Sequence, residues 1–164
     1  MELDLKPVFS EEGRALRFDY SLDLSGFELA SGQYPFRSPI AVAGGVSNSA
    51  GVVTLKASAE FDFYTECDRC CKDITEHYRV PVQNVLVHEM AGDGGEELLL
   101  VESDLLDLDA LVTPCVILSL PSKHLCFSGC KGLCPRCGRD LNEGPCECVG
   151  EGDPRLAPLK DFMD

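Results

Sequence analysis

The sequence predicts an α+β fold: an antiparallel β-meander with one packed helix and a C-terminal cysteine-rich, zinc-binding segment. Three observations predict it: period-two alternation of apolar residues in the first ninety positions, helical spacing after Asp104, and a Cys-, Gly- and Pro-rich tract after Pro121. The chain has the size of one ordinary domain. We expect residues 1–121 to form the sheet-and-helix core and residues 122–164 to be a zinc-binding segment tied to it.

Alternating apolar residues mark the strands of the predicted meander. Residues 16–24 form one half-buried strand, and residues 53–63 give the clearest case, because every second side chain from Val53 to Phe63 is apolar. A shorter strand over 36–42 comes before it. The turn residues 47–51 should join these two strands as a hairpin.

The next strand runs from Ile74 to Val87, and its alternation breaks near Asn84. The break indicates a bulge or a strand buried on both faces. Residues 90–97 carry three glycines and three acids and should form an exposed loop. Residues 98–101 then return as a short edge strand.

A helix of three to four turns is predicted after Asp104, which with Asp107 is a candidate N-cap. Pro114 lies inside it and lacks the backbone N–H of an internal helical residue, so a kink or an early end is expected there. The apolar positions with helical spacing are Leu105, Leu108, Leu111, Val112 and Cys115.

Composition narrows the class of protein. The chain has 164 residues, a formal charge of −14 and 45% hydrophobic residues, which is enough to build a core. It contains no apolar run long enough for a membrane span, and its first residues, Met1 to Pro7, do not resemble a signal peptide. We therefore expect a cytoplasmic protein without membrane contact. In that reducing compartment, ten cysteines indicate metal binding rather than disulfides.

Charge is unevenly distributed. Residues 80–122 carry eight acids and no Lys or Arg, whereas residues 123–139 carry four basic residues and no acid. This basic stretch is either a solvated surface around a metal site or a contact surface for RNA or an acidic partner. Lys131, Arg136 and Arg139 are the candidate contacts. Because so acidic a protein is repelled by phosphates, we expect the acidic surface to engage a basic partner, with at most a local RNA contact.

Eight of the cysteines form four closely spaced pairs, and two such pairs supply the four thiolates of one tetrahedral zinc ion. The turn from Cys134 to Gly138 has the form of a zinc-binding turn, with Gly138 able to adopt positive φ. Because the four pairs supply thiolates for two such ions, two structural Zn²⁺ ions are expected. An alternative is one site drawn from the six cysteines of the tail, with Cys67 and Cys70 an unmetallated turn. In the two-site assignment, site one is Cys67, Cys70, Cys126 and Cys130, and site two is Cys134, Cys137, Cys146 and Cys148.

Several alternative roles for the histidine and cysteine residues have less support in the sequence than the two zinc sites. His124 could replace a cysteine ligand but is expected to be a neighbour, Cys71 a bystander, and Cys115 a small buried hydrophobe. Cys67 and Cys70 could be a redox dithiol, yet they close a hairpin. No catalytic residue is predicted, because an all-Cys site leaves no position for water. Two alternative functions remain open: a metal-dependent RNA-processing enzyme, and a redox or zinc-storage protein.

Several stretches of the chain together carry the motifs of a known family. They are Cys67-Asp68-Arg69-Cys70, the acidic helix start Asp104 to Asp109, Leu118 to Pro121, Cys130 to Gly138, Asp140 to Cys148, and Asp153-Pro154-Arg155-Leu156 with Leu159. These motifs resemble the YceD family of large ribosomal RNA subunit accumulation proteins. The resemblance implies a non-enzymatic role in the synthesis, processing or stability of large-subunit ribosomal RNA, with a pre-ribosomal large-subunit particle or a basic ribosomal protein as the partner of the acidic surface. It also supports pairing Cys67 and Cys70 with Cys126 and Cys130, while Pro114 and Cys71 depart from the family's pattern.

Overall fold

A computed structural model describes residues 1–29, 32–89, 98–101 and 103–148. The predicted loop over 90–97 and the end of the predicted zinc-binding segment, residues 149–164, lie outside the described residues. So do the family-like Asp153-Pro154-Arg155-Leu156 motif and Leu159.

The described chain is α+β, as the sequence predicts, with seven strands and two helices. A five-stranded sheet has the order β2-β3-β4-β5-β6, and β1 pairs with β7 in a separate two-stranded sheet. The short β1, α1 and β7 were not predicted. The elements are β1 Glu2–Asp4, α1 Lys6–Ser10, β2 Ala15–Leu22, β3 Ile40–Ser49, β4 Val52–Glu66, β5 Asp73–Val87, β6 Leu98–Leu100, β7 Leu105–Asp107 and α2 Leu108–Ser119.

The β3–β4 hairpin is confirmed, but its turn is shorter than expected. The strands pair up to Ser49 opposite Val52, so Ser47 and Asn48 belong to β3 and the turn consists of Ala50 and Gly51. Both turn residues have positive φ, 52° and 82°. Two consecutive positive φ angles match the twist of a two-residue hairpin.

The strand β5 contains no bulge, and the prediction of one is wrong. Its antiparallel register with β4 is uninterrupted, with Asn84 opposite Leu55 and Leu86 opposite Val53. Asn84 is a polar residue on the face that Val82 and Leu86 share, which explains the apparent break in alternation. The other expected reason, apolar residues on both faces, holds for the end of β5, where Val85 and Val87 are half-buried.

The sheet is not a pure antiparallel meander, because its edge strand β6 runs parallel to β5. Leu98, Leu99 and Leu100 lie beside Val85, Leu86 and Val87. A parallel neighbour requires a crossover connection instead of a tight hairpin, so a meander was the wrong topology for this last strand.

Helix α2 has the predicted length of three to four turns and begins after Asp107, the second of the two candidate N-caps, while Leu105, assigned to the helical pattern, lies in β7. The Asp107 side chain accepts hydrogen bonds from the backbone N–H groups of Asp109 and Ala110, which makes it the N-cap. The helix continues through Pro114 to Ser119, so an early end at Pro114 is wrong. Pro114 has no N–H for the Ala110 carbonyl, and both residues are exposed, so the lost hydrogen bond lies at the surface of the helix.

One face of the sheet and the two helices enclose the core. Val53, Leu55, Phe61 and Phe63 of β4 are buried, as the period-two pattern predicts. Val8 of α1 and Val112 and Val116 of α2 are fully buried against them. None of the helices in the described ranges is long and apolar enough to span a bilayer.

Candidate metal centres

The connection between β4 and β5 presents the first pair of thiols. β4 ends at Glu66 and β5 begins at Asp73, so Cys67 and Cys70 lie on the intervening turn. The turn is closed by two backbone hydrogen bonds, from Cys71 N–H to the Cys67 carbonyl at 2.9 Å and from Cys67 N–H to the Lys72 carbonyl at 2.8 Å. The long β4–β5 hairpin therefore holds this pair at a fixed place.

The tail brings a second pair to the same point. The Sγ atoms of Cys67, Cys70, Cys126 and Cys130 all lie within 4.8 Å of one another. Cys67 and Cys130 are 3.8 Å apart between sulfurs, and Cys70 and Cys126 are 3.6 Å apart. A tetrahedral zinc ion with Zn–S bonds of about 2.3 Å separates its sulfurs by about 3.8 Å. The four thiols thus fit one tetrahedral ion.

The second group gathers Cys134, Cys137, Cys146 and Cys148, again with all sulfurs within 4.8 Å of one another. An isolated β-bridge between Leu133 and Asp140 closes the loop that carries the first two. The structure therefore contains two four-cysteine groups, made of the same residues that the spacing pairs, and each could hold a metal ion. The single-site alternative, with Cys67 and Cys70 apart from any group, does not match this arrangement.

The two Cys-x-x-Cys turns share one backbone design. In the second turn Gly138 N–H donates to the Cys134 carbonyl at 2.9 Å and Cys134 N–H donates to the Arg139 carbonyl at 2.8 Å. Cys71 in the first turn takes the place of Gly138, and both have positive φ, 56° and 71°. Cys71 is exposed and belongs to neither four-cysteine group. It is a bystander that occupies a position better suited to glycine.

Backbone N–H groups favour thiolates at both centres. Those of Cys126, Arg69 and Cys70 lower the pKa of the Cys67 thiol to about 6. Those of Cys137 and Arg136 lower the pKa of Cys134 to about 6. Burial, together with the neighbouring Cys70 thiol, raises the pKa of Cys126. Four thiols this close cannot all ionise unless a cation shares the charge, which is the chemistry that a metal ion supplies.

The tail is also bound to the first turn by backbone contacts. Asp68 and His124 form a reciprocal pair, in which Asp68 N–H donates to the His124 carbonyl at 2.9 Å and His124 N–H donates to the Asp68 carboxylate at 2.7 Å. Leu133 N–H donates to the Arg69 carbonyl at 3.0 Å. Gly132 makes this approach possible, since a Cβ there would lie 2.7 Å from the Arg69 oxygen.

His124 is a neighbour of the first centre and not part of its thiol group. Its ring stacks on Phe63 with centroids 4.9 Å apart, and its Nδ1 lies 3.3 Å from a carboxylate oxygen of Glu76. The remaining cysteine, Cys115, packs half-buried against the core, and its thiol donates to the Leu111 carbonyl. The position of His124 agrees with the sequence-based interpretation, whereas Cys115 is half-buried instead of buried.

Asn142 and Asp140 connect the two centres, a role that the family-like Asp140 to Cys148 motif did not reveal. The Asn142 side-chain amide donates to Cys130 Sγ at 3.4 Å, and its carbonyl oxygen accepts from Lys131 N–H at 2.7 Å. The Asp140 carboxylate accepts from Asn142 and pairs with Lys72 at 2.7 Å. Short polar loops between cysteine pairs are common, so nothing distinguished these two residues before the fold was known.

The predicted contact residues Lys131, Arg136 and Arg139 are all exposed on the cysteine-rich segment. This exposure is compatible both with a surface that contacts RNA or a partner and with a surface that only faces solvent. A role in binding RNA or a partner stays a prediction for these three residues.

Comparison with known proteins identifies the family. A family model described as large ribosomal RNA subunit accumulation protein YceD matches residues 55–163, more than half of the chain and a range that includes both cysteine groups. Uncharacterized proteins of Mycobacterium bovis and of two Mycobacterium tuberculosis strains are 29% identical over 102 residues, covering 60% of this chain and 49% of each relative. The chain therefore spans about half the length of the curated relatives it matches. No solved structure matches it. The chain belongs to the YceD family.

Proposed function

We propose that this protein is a non-enzymatic factor for the accumulation of large-subunit ribosomal RNA, acting in ribosome assembly and held together by two structural zinc ions. The observation that carries the proposal is the family match, which spans β4, β5, α2 and both cysteine groups. The name of that family concerns accumulation of this RNA, not a reaction.

The donor set favours zinc at both centres. Thiolate sulfur is a soft ligand that suits Zn²⁺ and excludes the hard cations Mg²⁺ and Ca²⁺. Each group offers four cysteines, so a tetrahedral ion would be fully coordinated and would have no position for a substrate or an activated water. Metal analysis of protein purified without a chelator should give two equivalents of zinc per chain. One equivalent in fully loaded protein would contradict the assignment of two zinc sites.

Net charge favours a particle or a protein over naked RNA as the partner. Eight thiolates and two Zn²⁺ would take the formal charge from −14 to −18. The four basic residues of the segment 123–139 limit any phosphate contact to a salt-dependence slope of about −3 to −4. The proposed partner is thus a pre-ribosomal large-subunit particle or a basic ribosomal protein, with Lys131, Arg136 and Arg139 making a local RNA contact. A cytoplasmic location remains a prediction from the sequence.

The cellular test removes the gene and measures the ratio of large-subunit to small-subunit ribosomal RNA. The proposal expects a selective loss of large-subunit RNA that the wild-type gene restores. A gene carrying Cys67→Ser and Cys134→Ser should not restore it, because both centres are lost, whereas Cys71→Ser should. An unchanged RNA ratio in the deletion strain would contradict the proposed function.

A binding test separates the partner classes. Purified protein is compared for binding to immature large-subunit particles and to naked large-subunit RNA at physiological salt. We expect binding to the particle and weak binding to the RNA. Submicromolar, salt-sensitive binding to naked RNA that Arg136→Ala and Arg139→Ala abolish would instead make the zinc segment an RNA-binding module. Cleavage of precursor RNA by the zinc-loaded protein would favour the enzyme alternative.

A further inference from the structure

Helix α2 has a second apolar face that the core covers only in part, since Leu111 and Cys115 are half-buried there. Leu108, Val112 and Val116 are buried in the core. Asp109 is the only charged residue among the twelve of the helix. A helix that is apolar on nearly all sides is normally covered on all sides, yet Leu118 is 83% exposed here.

This second face forms one wall of an apolar groove. The groove has a volume of about 410 Å³ and lies between α2 and the short strands β6 and β7. Asp107 is the one polar residue among those that line it in the described part of the chain, and Leu118 extends its helical stripe, seven residues after Leu111. The apolar lining residues are Leu99, Leu106, Ala110, Leu111, Pro114 and Cys115.

The charged side chains described at the N-terminal end of α2 are mostly acidic. The Met1 ammonium group pairs there with Asp109 at 2.7 Å and with Asp107 at 3.8 Å, and His88 Nε2 lies 3.7 Å from Asp104. The sequence of residues 80–122 contains no Lys or Arg. The side chains of Asp104, Asp107 and Asp109 at this end of the helix are 46%, 56% and 45% exposed. A partner whose apolar stripe is flanked by basic side chains would therefore be attracted, and a second copy of this chain would meet its own negative charge.

From the apolar lining and the acidic border we propose that this groove is the docking site for a basic amphipathic helix of a large-subunit ribosomal protein. The proposal rests on the proposed function and names the surface that serves it. A helix suits the groove because side chains at positions i, i+3 or i+4, and i+7 form a ridge that packs between α2 and β6. Lys and Arg beside that ridge would pair with Asp104 and with the exposed carboxylates of Asp107 and Asp109, which also hold the Met1 ammonium group.

Point variants test the groove with purified immature large-subunit particles as the probe. Leu118→Lys and Ala110→Lys each place a positive charge on an exposed position of the apolar face, so neither disturbs the core. The matched control is Val52→Lys, which changes an apolar residue of 51% exposure at the remote β3–β4 turn. We expect a loss of particle affinity of about tenfold or more for the two groove variants and no change for the control.

The outcomes separate this proposal from the proposed function. If wild-type protein binds the particle and both groove variants bind equally well, the docking site is wrong while the proposed function stands. If wild-type protein binds no large-subunit particle, both are overturned.

Cross-linking identifies the occupant. A photoreactive benzoylphenylalanine at position 118 is irradiated in the bound particle, with the same residue at position 52 as the control. The proposal expects a cross-link from position 118 to a Lys- and Arg-rich helical segment of a ribosomal protein. Cross-links only to ribosomal RNA, to a second copy of this chain or to its own residues 149–164 would overturn it.

Discussion

The side-chain amide of Asn142 donates a hydrogen bond to Cys130 Sγ at 3.4 Å, so a residue from the loop of the second centre contacts a thiol of the first. Its backbone N–H and amide group also bind Asp140, whose carboxylate pairs with Lys72 beside the first Cys-x-x-Cys turn. The two candidate zinc sites are therefore parts of one hydrogen-bonded unit. This unit fastens the cysteine-rich segment to the β4–β5 hairpin.

Asn142→Asp should weaken zinc binding at the first centre by about tenfold, because it replaces the N–H donor at Cys130 with a carboxylate that repels thiolate. The acceptor for Lys131 N–H is kept, while the amide donor to Asp140, at 2.7 Å, is lost together with the contact with sulfur. Competition with a chromophoric chelator measures the affinity of both sites. Glu143→Gln is the control, since this neighbouring side chain is 72% exposed. Equal zinc affinities in the wild type and Asn142→Asp would disprove the role of this hydrogen bond.

Gly132→Ala should detach the cysteine-rich segment from the first turn. The residue has φ of 76°, and a Cβ would lie 2.7 Å from the Arg69 carbonyl oxygen. Both the left-handed conformation and the close contact oppose a side chain, at a combined cost of roughly 2 kcal/mol or more. Hydrogen exchange should show faster exchange at Leu133 N–H. Gly129→Ala is the control, because its Cβ would make only ordinary contact with the Phe127 ring, and matching exchange in both variants would refute the prediction.

Cys71→Gly should leave both zinc ions in place and not lower stability. Cys71 holds a left-handed conformation that costs a non-glycine residue about 1–2 kcal/mol, whereas the greater freedom of glycine in the unfolded chain costs about 0.5–1 kcal/mol. The free energy of unfolding should therefore stay constant or rise by up to about 1 kcal/mol. Denaturant unfolding and zinc analysis measure the two quantities, with Cys70→Ser as the variant that loses one site. A loss of zinc in Cys71→Gly would make Cys71 a ligand.

Removal of metal should release the tail before the sheet unfolds. The described part of the tail, residues 122–148, has few buried apolar residues besides its cysteines, while β3, β4 and β5 are paired over their whole length around the core. A bound metal ion would therefore supply much of the folding free energy of this segment. After complete chelation, hydrogen exchange should be fast at Asp68, Leu133 and Leu141 and slow in β4. Protection at these three amides in the metal-free protein would show that the tail folds without metal.

The parts of the fold that follow from local pattern could be predicted from the sequence. The period-two alternation predicted the buried face of β4, and Asp107 was one of two predicted N-caps of α2. The parts that depend on distant partners could not. The parallel pairing of β6 with β5 has no local signature. The strands β1 and β7 are only three residues long, and they pair residues at the start of the chain, such as Leu3, with distant residues such as Leu106. The break in alternation near Asn84 was interpreted as a possible bulge because one polar residue occupies a core-facing position of β5.

The cysteine pairs were predictable because a short spacing already places two sulfurs on one turn. The assignment of pairs to each group followed from the β4–β5 turn and the short loop between Cys137 and Cys146. The roles of Asn142 and Gly132 could not be predicted. Asn142 acts through its contact with Cys130, and Gly132 through its contact with Arg69 on the β4–β5 turn, and neither contact follows from local sequence. The apolar groove was hidden because its walls come from three separate elements.

Zinc X-ray absorption of the fully loaded protein tests whether both four-cysteine groups are closed structural zinc sites. We expect four sulfur neighbours for every zinc ion at about 2.3 Å and no nitrogen or oxygen neighbour. A spectrum that requires an oxygen or nitrogen ligand at either ion would contradict two closed sites, because it would reveal an open or mixed site where a water could be activated.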